Sequence, residues 1–368
     1  MKFDGHDSDV VVDAEGLYRI EESEPDRVLL IGSYRLSTQR DECEEHLNEL
    51  ALLTETYGAE VVARVGCHMR KVDAGMFLGK GKLQEMVDLA KAKDITLVIF
   101  DDEILPSQQR NLEQAFGLTV MDRTELILEV FNQRAQTREA RLQIDLARVK
   151  YQFPRLKRLW THLSRQKSGG GAGGAAVKGE GETQMELDKR MLQTRLERIE
   201  KDLTEVRQHR ETQRAQRIRS DTPVFALIGY TNAGKSTLLN TFTDAGVFAE
   251  DKLFATLDTT TRKTTLPNNQ EALLIDTVGF IRKLPHLLVA AFKSTLEESV
   301  FADILLHVVD ASHPNAEEQA RATMEVLHEL KADGRPIITV LNKVDRDDPV
   351  VRRNVTRLTL QYPHTVPV

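Results

Sequence analysis

Residues 224–236 read VFALIGYTNAGKS, and this stretch decides the fold of the C-terminal part of the chain. The first five residues are apolar, which favours a short central strand, and residues 237–242 have a pattern typical of a helix. Between them, residues 229–236 fit the pattern GxxxxGKS at every fixed position. A strand, a glycine-rich loop and a helix in this order predict a P-loop, in which backbone N–H groups and the helix N-terminus surround phosphate oxygens.

Two side chains of this loop have defined roles in phosphate chemistry. We expect Lys235 to reach the β- and γ-phosphates of a nucleoside triphosphate, and the Ser236 hydroxyl to bind Mg²⁺. The glycines let the backbone of the other positions approach the phosphates. The candidate nucleotide-binding residues of the loop are Gly229, Tyr230, Thr231, Asn232, Ala233, Gly234, Lys235 and Ser236.

A second motif lies further along the chain. Residues 272–275 predict another apolar strand, which ends in Asp276, Thr277, Val278 and Gly279. An aspartate at this position can hold Mg²⁺ through water, and the glycine N–H can contact a γ-phosphate and act as a hinge once that phosphate leaves. The pattern DxxG is weak alone, but behind a P-loop it indicates the start of switch II.

A third motif points to the base of the nucleotide. Residues 337–341 predict a strand that ends in Asn342, Lys343, Val344 and Asp345. The Asp345 carboxylate can accept hydrogen bonds from N1–H and the exocyclic amine of guanine, whereas adenine would leave its oxygens unpaired. We expect Asn342 to support the loop and the Lys343 stem to lie against the base. Three motifs in order on successive strand ends therefore predict a guanine-nucleotide site.

The residues between the first two motifs have to supply switch I. Residues 254–258 read FATLD, and three further threonines follow directly. One threonine of such a loop binds Mg²⁺ through its hydroxyl and the γ-phosphate through its backbone. Composition leaves four candidates for this role, which are Thr256, Thr259, Thr260 and Thr261.

The N-terminal part of the chain alternates strand patterns with helix patterns. We place a domain with a largely parallel α/β sheet at residues 27–133 and a loosely packed acidic tail at residues 1–26. The predicted strands are residues 27–32, 60–65, 95–100 and 118–121, and the predicted helices are residues 43–56, 82–93 and 106–116.

Residues 134–220 have a different pattern, with apolar side chains three and four positions apart in two separate runs. Such runs predict an antiparallel helical hairpin with a seam like that of a coiled coil, and Pro154 is expected to kink its first helix. Residues 167–182, KSGGGAGGAAVKGEGE, are too rich in glycine to bury a core and are predicted to form a mobile tip. The runs are Leu142, Leu146, Val149, Phe153, Leu156 and Leu163, then Leu192, Leu196, Ile199, Leu203 and Val206.

Charge is distributed unevenly along the 368 residues. The net charge is −7, but residues 134–219 hold 21 Lys and Arg against 11 Asp and Glu, a local balance of 21 − 11 = +10. The rest of the chain therefore carries −7 − 10 = −17. A basic segment between acidic ones predicts an arm that contacts a polyanion such as RNA.

Composition also excludes several classes of protein. No apolar run approaches the ~18–20 residues that cross a membrane, and the acidic N-terminus lacks the apolar stretch of a signal peptide. Cys43 and Cys67 are the only cysteines, which argues against a disulfide framework or a cysteine-rich zinc site. We therefore expect a cytoplasmic protein without a membrane span.

The motifs together resemble the HflX family of ribosome-associated GTPases over residues 27–345. The likeness extends well beyond the nucleotide motifs into the N-terminal domain and the hairpin. The segments that carry it are GYTNAGKST (229–237), LFATLDTTTR (253–262), DTVGFIRKLPHLLVAAFKSTLEE (276–298), NKVD (342–345), FLGKGKLQE (77–85), DDEILPSQQRNLE (101–113), VMDRTELILEVF (120–131), WTHLSRQ (160–166) and GEGETQMELDKR (179–190).

This resemblance implies roles for single residues and a partner. It implies that Thr256 is the second Mg²⁺ ligand beside Ser236, and that switch I consists of Phe254, Ala255, Thr256, Leu257 and Asp258. The family binds the large ribosomal subunit through its helical hairpin and glycine-rich loop, and bacterial members split stalled ribosomes under stress. The resemblance thus implies GTP and GDP as ligands, Mg²⁺ as cofactor and ribosomal RNA as the partner of the basic hairpin.

The sequence departs from the common GTPase pattern in two places. Phe280 follows the DTVG motif where many GTPases place a glutamine that orients water, so we expect slow intrinsic hydrolysis that depends on a partner, and we assign no catalytic residue. The chain stops at Val368, before a loop expected on the O6 side of guanine and a last helix. We therefore expect the GTPase domain, residues 221–368, to be incomplete, although its sheet should be parallel and Rossmann-like.

Two other functional classes fit parts of the sequence. In one, the hairpin is a coiled-coil arm that dimerises, and the chain is an interaction scaffold with a nucleotide-switched domain. In the other, the chain is a helicase-like nucleotide hydrolase, although such enzymes usually lack the guanine selector. The interpretation that we favour is a monomeric, ribosome-stimulated GTPase.

Overall fold

The computed structural model describes two compact units, Met1–Leu126 and Ile127–Val368. This division groups the hairpin with the C-terminal sheet, whereas the sequence predicts domain boundaries after residues 133 and 220. The described residues are 10–12, 18–20, 24–168, 180–218, 222–243, 253–254, 257, 259–283, 301–332, 334–346 and 348–368.

The first unit contains a four-stranded sheet with the strand order β4-β3-β5-β6, and all of its neighbours pair in parallel. A separate antiparallel pair, β1 and β2, lies inside the segment predicted as a tail. The predicted alternation of strands and helices is confirmed. The elements are β1 (Val10–Val12), β2 (Tyr18–Ile20), β3 (Arg27–Tyr34), α1 (Arg40–Tyr57), β4 (Glu60–His68), α2 (Lys80–Ala92), β5 (Leu97–Phe100), α3 (Pro106–Phe116) and β6 (Thr119–Asp122).

Helices cover both faces of this sheet, as parallel strands require. On one face, Leu29 and Ile31 of β3 share a cluster with Leu112 of α3 and with residues of α2 and β5. On the other face α1 approaches closely, since a Cβ added at Gly32 would lie 2.9 Å from the Cys43 Sγ. Glycine at position 32 therefore allows the helix to pack against the strand.

The carboxyl ends of β5 and β6 carry a buried ionic network. The Arg123 guanidinium donates from Nη1 to Asp101 at 2.8 Å and from Nη2 to Glu49 at 2.5 Å. The Arg123 and Asp101 side chains are both 3% exposed. The structural role of Asp101 was not predicted from the sequence.

Helix α4 (Arg123–Arg134) leads into the second unit, and α5 (Arg138–Ser168) and α6 (Glu180–Ile218) follow it. Helix α4 was not predicted from the sequence. Leu146 and Val149 of α5 pack with Ile199 and Leu203 of α6, which matches the predicted seam. Pro154 does not end α5, since the helix continues through it. Of the predicted glycine-rich tip, residues 169–179 lie outside the described part of the chain, and the helices take up both of its ends.

A six-stranded sheet with the order β12-β11-β10-β7-β9-β8 forms the rest of the second unit. Only β8 runs antiparallel to its neighbour, so the predicted parallel α/β sheet is confirmed. The elements are β7 (Val224–Gly229), α7 (Lys235–Thr243), β8 (Thr260–Thr265), β9 (Glu271–Asp276), β10 (Ile304–Asp310), α8 (Ala316–Glu329), β11 (Ile337–Asn342), α9 (Pro349–Gln361) and β12 (Thr365–Pro367).

Several of these elements were not predicted from the sequence. The strand β8 reads TTRKTT, whose side chains give no apolar alternation, and all six of its residues pair with β9. The helix α9 and the strand β12 both follow the NKVD motif. None of the helices within the described ranges is long and apolar enough to cross a membrane.

Candidate nucleotide site

The three predicted motifs meet at one edge of the six-stranded sheet. The strand β7 pairs with β9 on one side and with β10 on the other, and β10 pairs with β11. Because all four strands are parallel, their carboxyl ends lie side by side. Gly229, Asp276 and Asn342, the last residues of β7, β9 and β11, are therefore brought together although they are far apart in sequence.

Two glycines of the P-loop hold positions that other residues could not. Gly229 has φ +150°, and a Cβ there would lie 2.2 Å from the Val308 carbonyl oxygen. Gly234 has φ +94°, and a Cβ there would lie 2.1 Å from the Asn342 Nδ2. The first contact involves backbone, which cannot move aside. The glycines of GxxxxGKS are thus required by the packing of the loop as well as by its turn.

Lys235, the first residue of α7, is buried beneath the loop. Its Nζ donates to the carbonyl oxygens of Tyr230 at 2.7 Å and Gly229 at 3.2 Å. Burial lowers the pKa of Lys235 to about 8, and the Asp276 carboxylate opposes this effect. The ammonium is therefore held by the same loop whose N–H groups would surround a phosphate, and an anion placed there would relieve its desolvation.

The candidate metal ligands lie next to each other. The Ser236 hydroxyl donates to the Asp276 Oδ2 at 2.6 Å, and Asp276 is fully buried at the end of β9. The neighbouring Thr277 is also buried, and its hydroxyl donates to the Leu227 carbonyl oxygen at 2.7 Å. Thr277 thus fixes the turn after β9, while Ser236 and Asp276 present adjacent oxygen atoms. Within the described residues, no group of three His, Cys, Asp or Glu side chains could hold a metal ion.

The DTVG segment lies directly against the P-loop. A Cβ added at Gly279 would lie 2.9 Å from the Thr231 Cα and 3.0 Å from the Lys235 Nζ. Val278 and Thr231 are buried beside it, and the Thr231 hydroxyl has no hydrogen-bond partner among the described residues. Gly279 therefore occupies the space next to the lysine that the sequence assigns to the phosphates.

The NKVD segment contacts the P-loop from the other side. The Asn342 side chain donates from Nδ2 to the Ala233 carbonyl oxygen at 2.9 Å, which agrees with the supporting role expected for it. The Lys343 Nζ donates to the Asn232 carbonyl oxygen at 3.0 Å and pairs with Asp310 at 2.8 Å. Asp345, two residues after Lys343, is exposed. The loop thus fixes Asn342 and Lys343 and leaves the Asp345 carboxylate open to solvent.

Asp310 is a residue of this site whose role the sequence left open. Burial raises the pKa of Asp310, but hydrogen bonds from Lys343 and Ser312 outweigh it and hold the pKa below its ordinary value. Asp310 is therefore a carboxylate that positions the Lys343 stem. Asp310 follows the apolar residues of β10, and this position was the signal that could have indicated its role.

Switch I is described only in part. Phe254 and Leu257 are both 2% exposed, and Phe254 packs edge-on against Phe131 of α4 with ring centroids 4.5 Å apart. The other candidates of this loop, Ala255, Thr256 and Asp258, lie outside the described residues. Two alternative threonines, Thr260 and Thr261, are ladder residues of β8 opposite Asp276 and Ile275.

Two contact residues next to the DTVG segment were not predicted. The Tyr230 hydroxyl accepts a hydrogen bond from the Arg282 backbone N–H at 2.7 Å, and the Arg282 guanidinium donates to Glu318 of α8 at 2.8 Å. Arg282 and Glu318 are separated by 36 positions, and no sequence motif links them. The pair could not have been found without the tertiary structure.

Three family models match consecutive parts of the chain. They are described as GTP-binding GTPase N-terminal, over residues 44–132, GTP-binding GTPase Middle Region, over residues 134–217, and 50S ribosome-binding GTPase, over residues 224–343. The last match spans the P-loop, the DTVG segment and the first two residues of the NKVD segment.

Relatives match nearly the whole chain. The GTPase HflX of Chlamydia pneumoniae is 53% identical over 327 residues, which is 89% of this chain and 69% of the relative. The GTPase HflX of Escherichia coli K12 is 44% identical over 306 residues, 83% of this chain and 71% of the relative. A crystal structure of a complex of SsGBP with GDP is similar at a TM-score of 0.53 and 25% identity, and it covers 93% of this chain and 92% of its own. On the strength of these matches and of a nucleotide site with all three motifs on one sheet edge, the chain belongs to the HflX family of GTPases.

Proposed function

We propose that this GTPase docks on the large ribosomal subunit in the cytoplasm, under the control of its nucleotide, and that it splits stalled or stressed ribosomes. One observation carries the proposal. The part of the chain that matches a family model described as 50S ribosome-binding GTPase lies in the same unit as the helical hairpin, and the hairpin segment has a charge balance of +10. Ribosomal RNA is the polyanion that such an arm fits.

The proposal includes a role for each motif. The loop from Gly229 to Ser236 binds phosphates, and Asp345 reads guanine. Ser236 would hold Mg²⁺ with Thr256 as second ligand, and Asp276 accepts the hydrogen bond of the Ser236 hydroxyl. The adjacent hydroxyl and carboxylate oxygens of Ser236 and Asp276 support this assignment, because Mg²⁺ prefers oxygen ligands. Bound Mg²⁺ neutralises charge that develops on the phosphates during hydrolysis.

Sedimentation with purified ribosomal subunits tests the docking. We expect binding to the large subunit that is stronger with a non-hydrolysable GTP analogue than with GDP, and that weakens steeply as salt rises. A variant with Lys189, Arg190 and Lys201 changed to Gln should bind more weakly and keep its nucleotide affinity. Equal binding with both nucleotides, or none, would contradict the proposal.

Substitution of Asp345 tests the reading of the base. The change Asp345→Asn replaces one of the two carboxylate oxygens, which accept from the two guanine donors, by an NH₂ group that cannot accept. We expect a loss of GTP affinity of about 10²-fold relative to wild type. Asp348→Asn is a control on the next helix cap, where Asp348 accepts the Val350 N–H at 2.7 Å. The control should leave the dissociation constant for GTP unchanged.

The scaffold alternative receives less support. It needs the apolar seam of the hairpin for a second chain, but Leu146, Val149, Ile199 and Leu203 already pack with one another inside this chain. Light scattering that shows a stable dimer would favour the alternative.

A further inference from the structure

The segment that follows the DTVG turn is attached to the P-loop through its backbone. The Phe280 N–H donates to the Gly229 carbonyl oxygen at 3.0 Å, and the Thr231 N–H donates to the Phe280 carbonyl oxygen at 2.7 Å. These two bonds form a parallel bridge between Tyr230 and Phe280. The pairing of β7 with β9 thus continues beyond the end of both strands.

Side chains reinforce this attachment two residues later. The Tyr230 hydroxyl accepts the Arg282 N–H at 2.7 Å. The Arg282 side chain is 11% exposed, and its guanidinium pairs with Glu318 on α8 at 2.8 Å. The Phe280 side chain is itself buried, at 2% exposed. We call the contacts of Phe280 and Arg282 with the P-loop and Glu318 the switch II clasp.

The clasp determines where Gly279 lies. As the residue before Phe280, Gly279 is held close enough to the P-loop that an added Cβ would be 3.0 Å from the Lys235 Nζ. The Lys235 Nζ in turn donates to two loop carbonyls. A γ-phosphate that contacts both the Lys235 ammonium and the Gly279 N–H needs room between them, so Gly279 has to move outward.

We propose that the switch II clasp is an autoinhibitory contact that opposes the γ-phosphate and so sets the preference of the site for GDP over GTP. The proposal deepens the proposed function, because it depends on the phosphate roles of Lys235 and Gly279. GDP lacks the γ-phosphate and leaves Gly279 in place. GTP has to break the bonds of Phe280 and Arg282, and part of its binding free energy is used for this. Glu318, outside the nucleotide motifs, thereby acts on the choice of nucleotide.

The ratio of the dissociation constants for GDP and a non-hydrolysable GTP analogue measures the clasp. It is determined on the full chain with Mg²⁺ and without ribosomes. Glu318→Gln keeps the shape of the side chain and removes the charge that holds Arg282. We expect the analogue to bind about two- to fivefold more tightly, with the GDP affinity unchanged, which is the range for a partly exposed ion pair.

A neighbouring residue provides a matched control. Glu317 pairs with Arg357 at 2.9 Å on the same turn of α8, and Glu317→Gln should leave the ratio unchanged. Tyr230→Phe, which removes the hydroxyl that accepts the Arg282 N–H, should shift the ratio in the same direction as Glu318→Gln. Melting temperatures of the variants show that each is folded.

The outcomes separate the clasp from the site itself. An unchanged ratio in both Glu318→Gln and Tyr230→Phe, or an equal change for both nucleotides, would overturn the clasp while the site stands. A folded wild-type chain that binds neither nucleotide would overturn the site and the clasp together. Docking on the ribosome is not required for either result.

Discussion

The two sheets of this chain end their parallel strands in carboxylates, but they use them differently. In the four-stranded sheet, Asp101 is neutralised inside the unit by Arg123, which also pairs with Glu49. In the six-stranded sheet, Asp276 accepts a hydrogen bond from the Ser236 hydroxyl, under a loop built on glycines. The difference shows that the sheet edge alone makes no ligand site. In the six-stranded sheet the edge also carries a glycine-rich loop and Lys235, whose ammonium donates to carbonyl oxygens of that loop.

The largest effect that we expect is in the first sheet. Arg123→Met removes the guanidinium that pairs with Asp101 and Glu49, whose side chains are 3% and 13% exposed, and this should lower the free energy of unfolding of the first unit by about 4 kcal/mol. Hydrogen exchange of peptides from α1 and β5 measures this loss. Lys82→Met is the control, because Lys82 and Glu85 form an exposed pair worth about 0.5 kcal/mol. Equal losses in both variants would show that the network is not structural.

The next effect concerns the glycines of the second sheet. Gly229→Ala places a Cβ against the Val308 carbonyl, and we expect a loss of about 3 kcal/mol in the unfolding free energy of the second unit. Gly58→Ala, at the end of α1, shares the positive φ but has no atom within 4 Å, so it should cost only about 1 kcal/mol. The unfolding free energies of the two variants are measured by chemical denaturation, with hydrogen exchange as the readout of each unit. A similar loss at both sites would mean that glycine is required at position 229 because of the backbone conformation and not because of packing.

Acid should affect the second sheet through His307 of β10. His307 is fully buried against Tyr362, neither ring nitrogen has a hydrogen-bond partner among the described residues, and burial lowers its pKa to about 4. In the unfolded chain the imidazole of His307 binds a proton near pH 6.5, whereas in the folded chain it does so only near pH 4. The free energy of unfolding therefore falls as the pH falls from 6.5 toward 4, and about 2 kcal/mol is lost by pH 5. Denaturation at pH 7 and pH 5 measures the loss.

The control for this effect is His307→Leu, which removes the titrating group. The variant should show a smaller difference in unfolding free energy between pH 7 and pH 5 than the wild type. A pH dependence that survives in His307→Leu would assign the acid sensitivity to other groups.

The smallest effect is on nucleotide affinity and comes from Lys235. Its pKa of about 8 lies below the ordinary 10.5, so the ligand-free unit gains stability as the pH rises from 8 to 10.5, when the ammonium becomes neutral. Phosphates need the charged form, and the dissociation constant for GDP should therefore rise toward tenfold per pH unit above pH 8. Calorimetry between pH 7.5 and pH 9 measures it. Lys235→Arg keeps its charge, so it should bind with little pH dependence in this range.

Much of the nucleotide site could be predicted from the sequence because its signals are local. The P-loop, the DTVG segment and the NKVD segment are short motifs that each end a recognisable apolar strand, and parallel strands place such ends on one edge. The basic hairpin was likewise readable from spacing and charge. Boundaries were less accurate: the helices α5 and α6 take up both ends of the predicted glycine-rich tip, and α4 was missed.

Other features had no local signal. The strand β8 is polar, and it is recognisable only from its pairing with β9. Thr260 and Thr261, two of the switch I candidates, lie in this unpredicted strand. Arg282 and Glu318, like Arg123 and Glu49, are ordinary charged residues in the sequence, and nothing in their neighbours indicates the pairs that they form.

The sequence by itself determined that the chain has a guanine-nucleotide site on an α/β sheet and a basic hairpin, since motif spacing and periodicity act within a few residues. Only the tertiary structure decided that one sheet edge is closed by Arg123 and that the switch II clasp holds Gly279 against Lys235. Those contacts join positions tens of residues apart, and their energies depend on burial and distance, which a linear pattern does not contain.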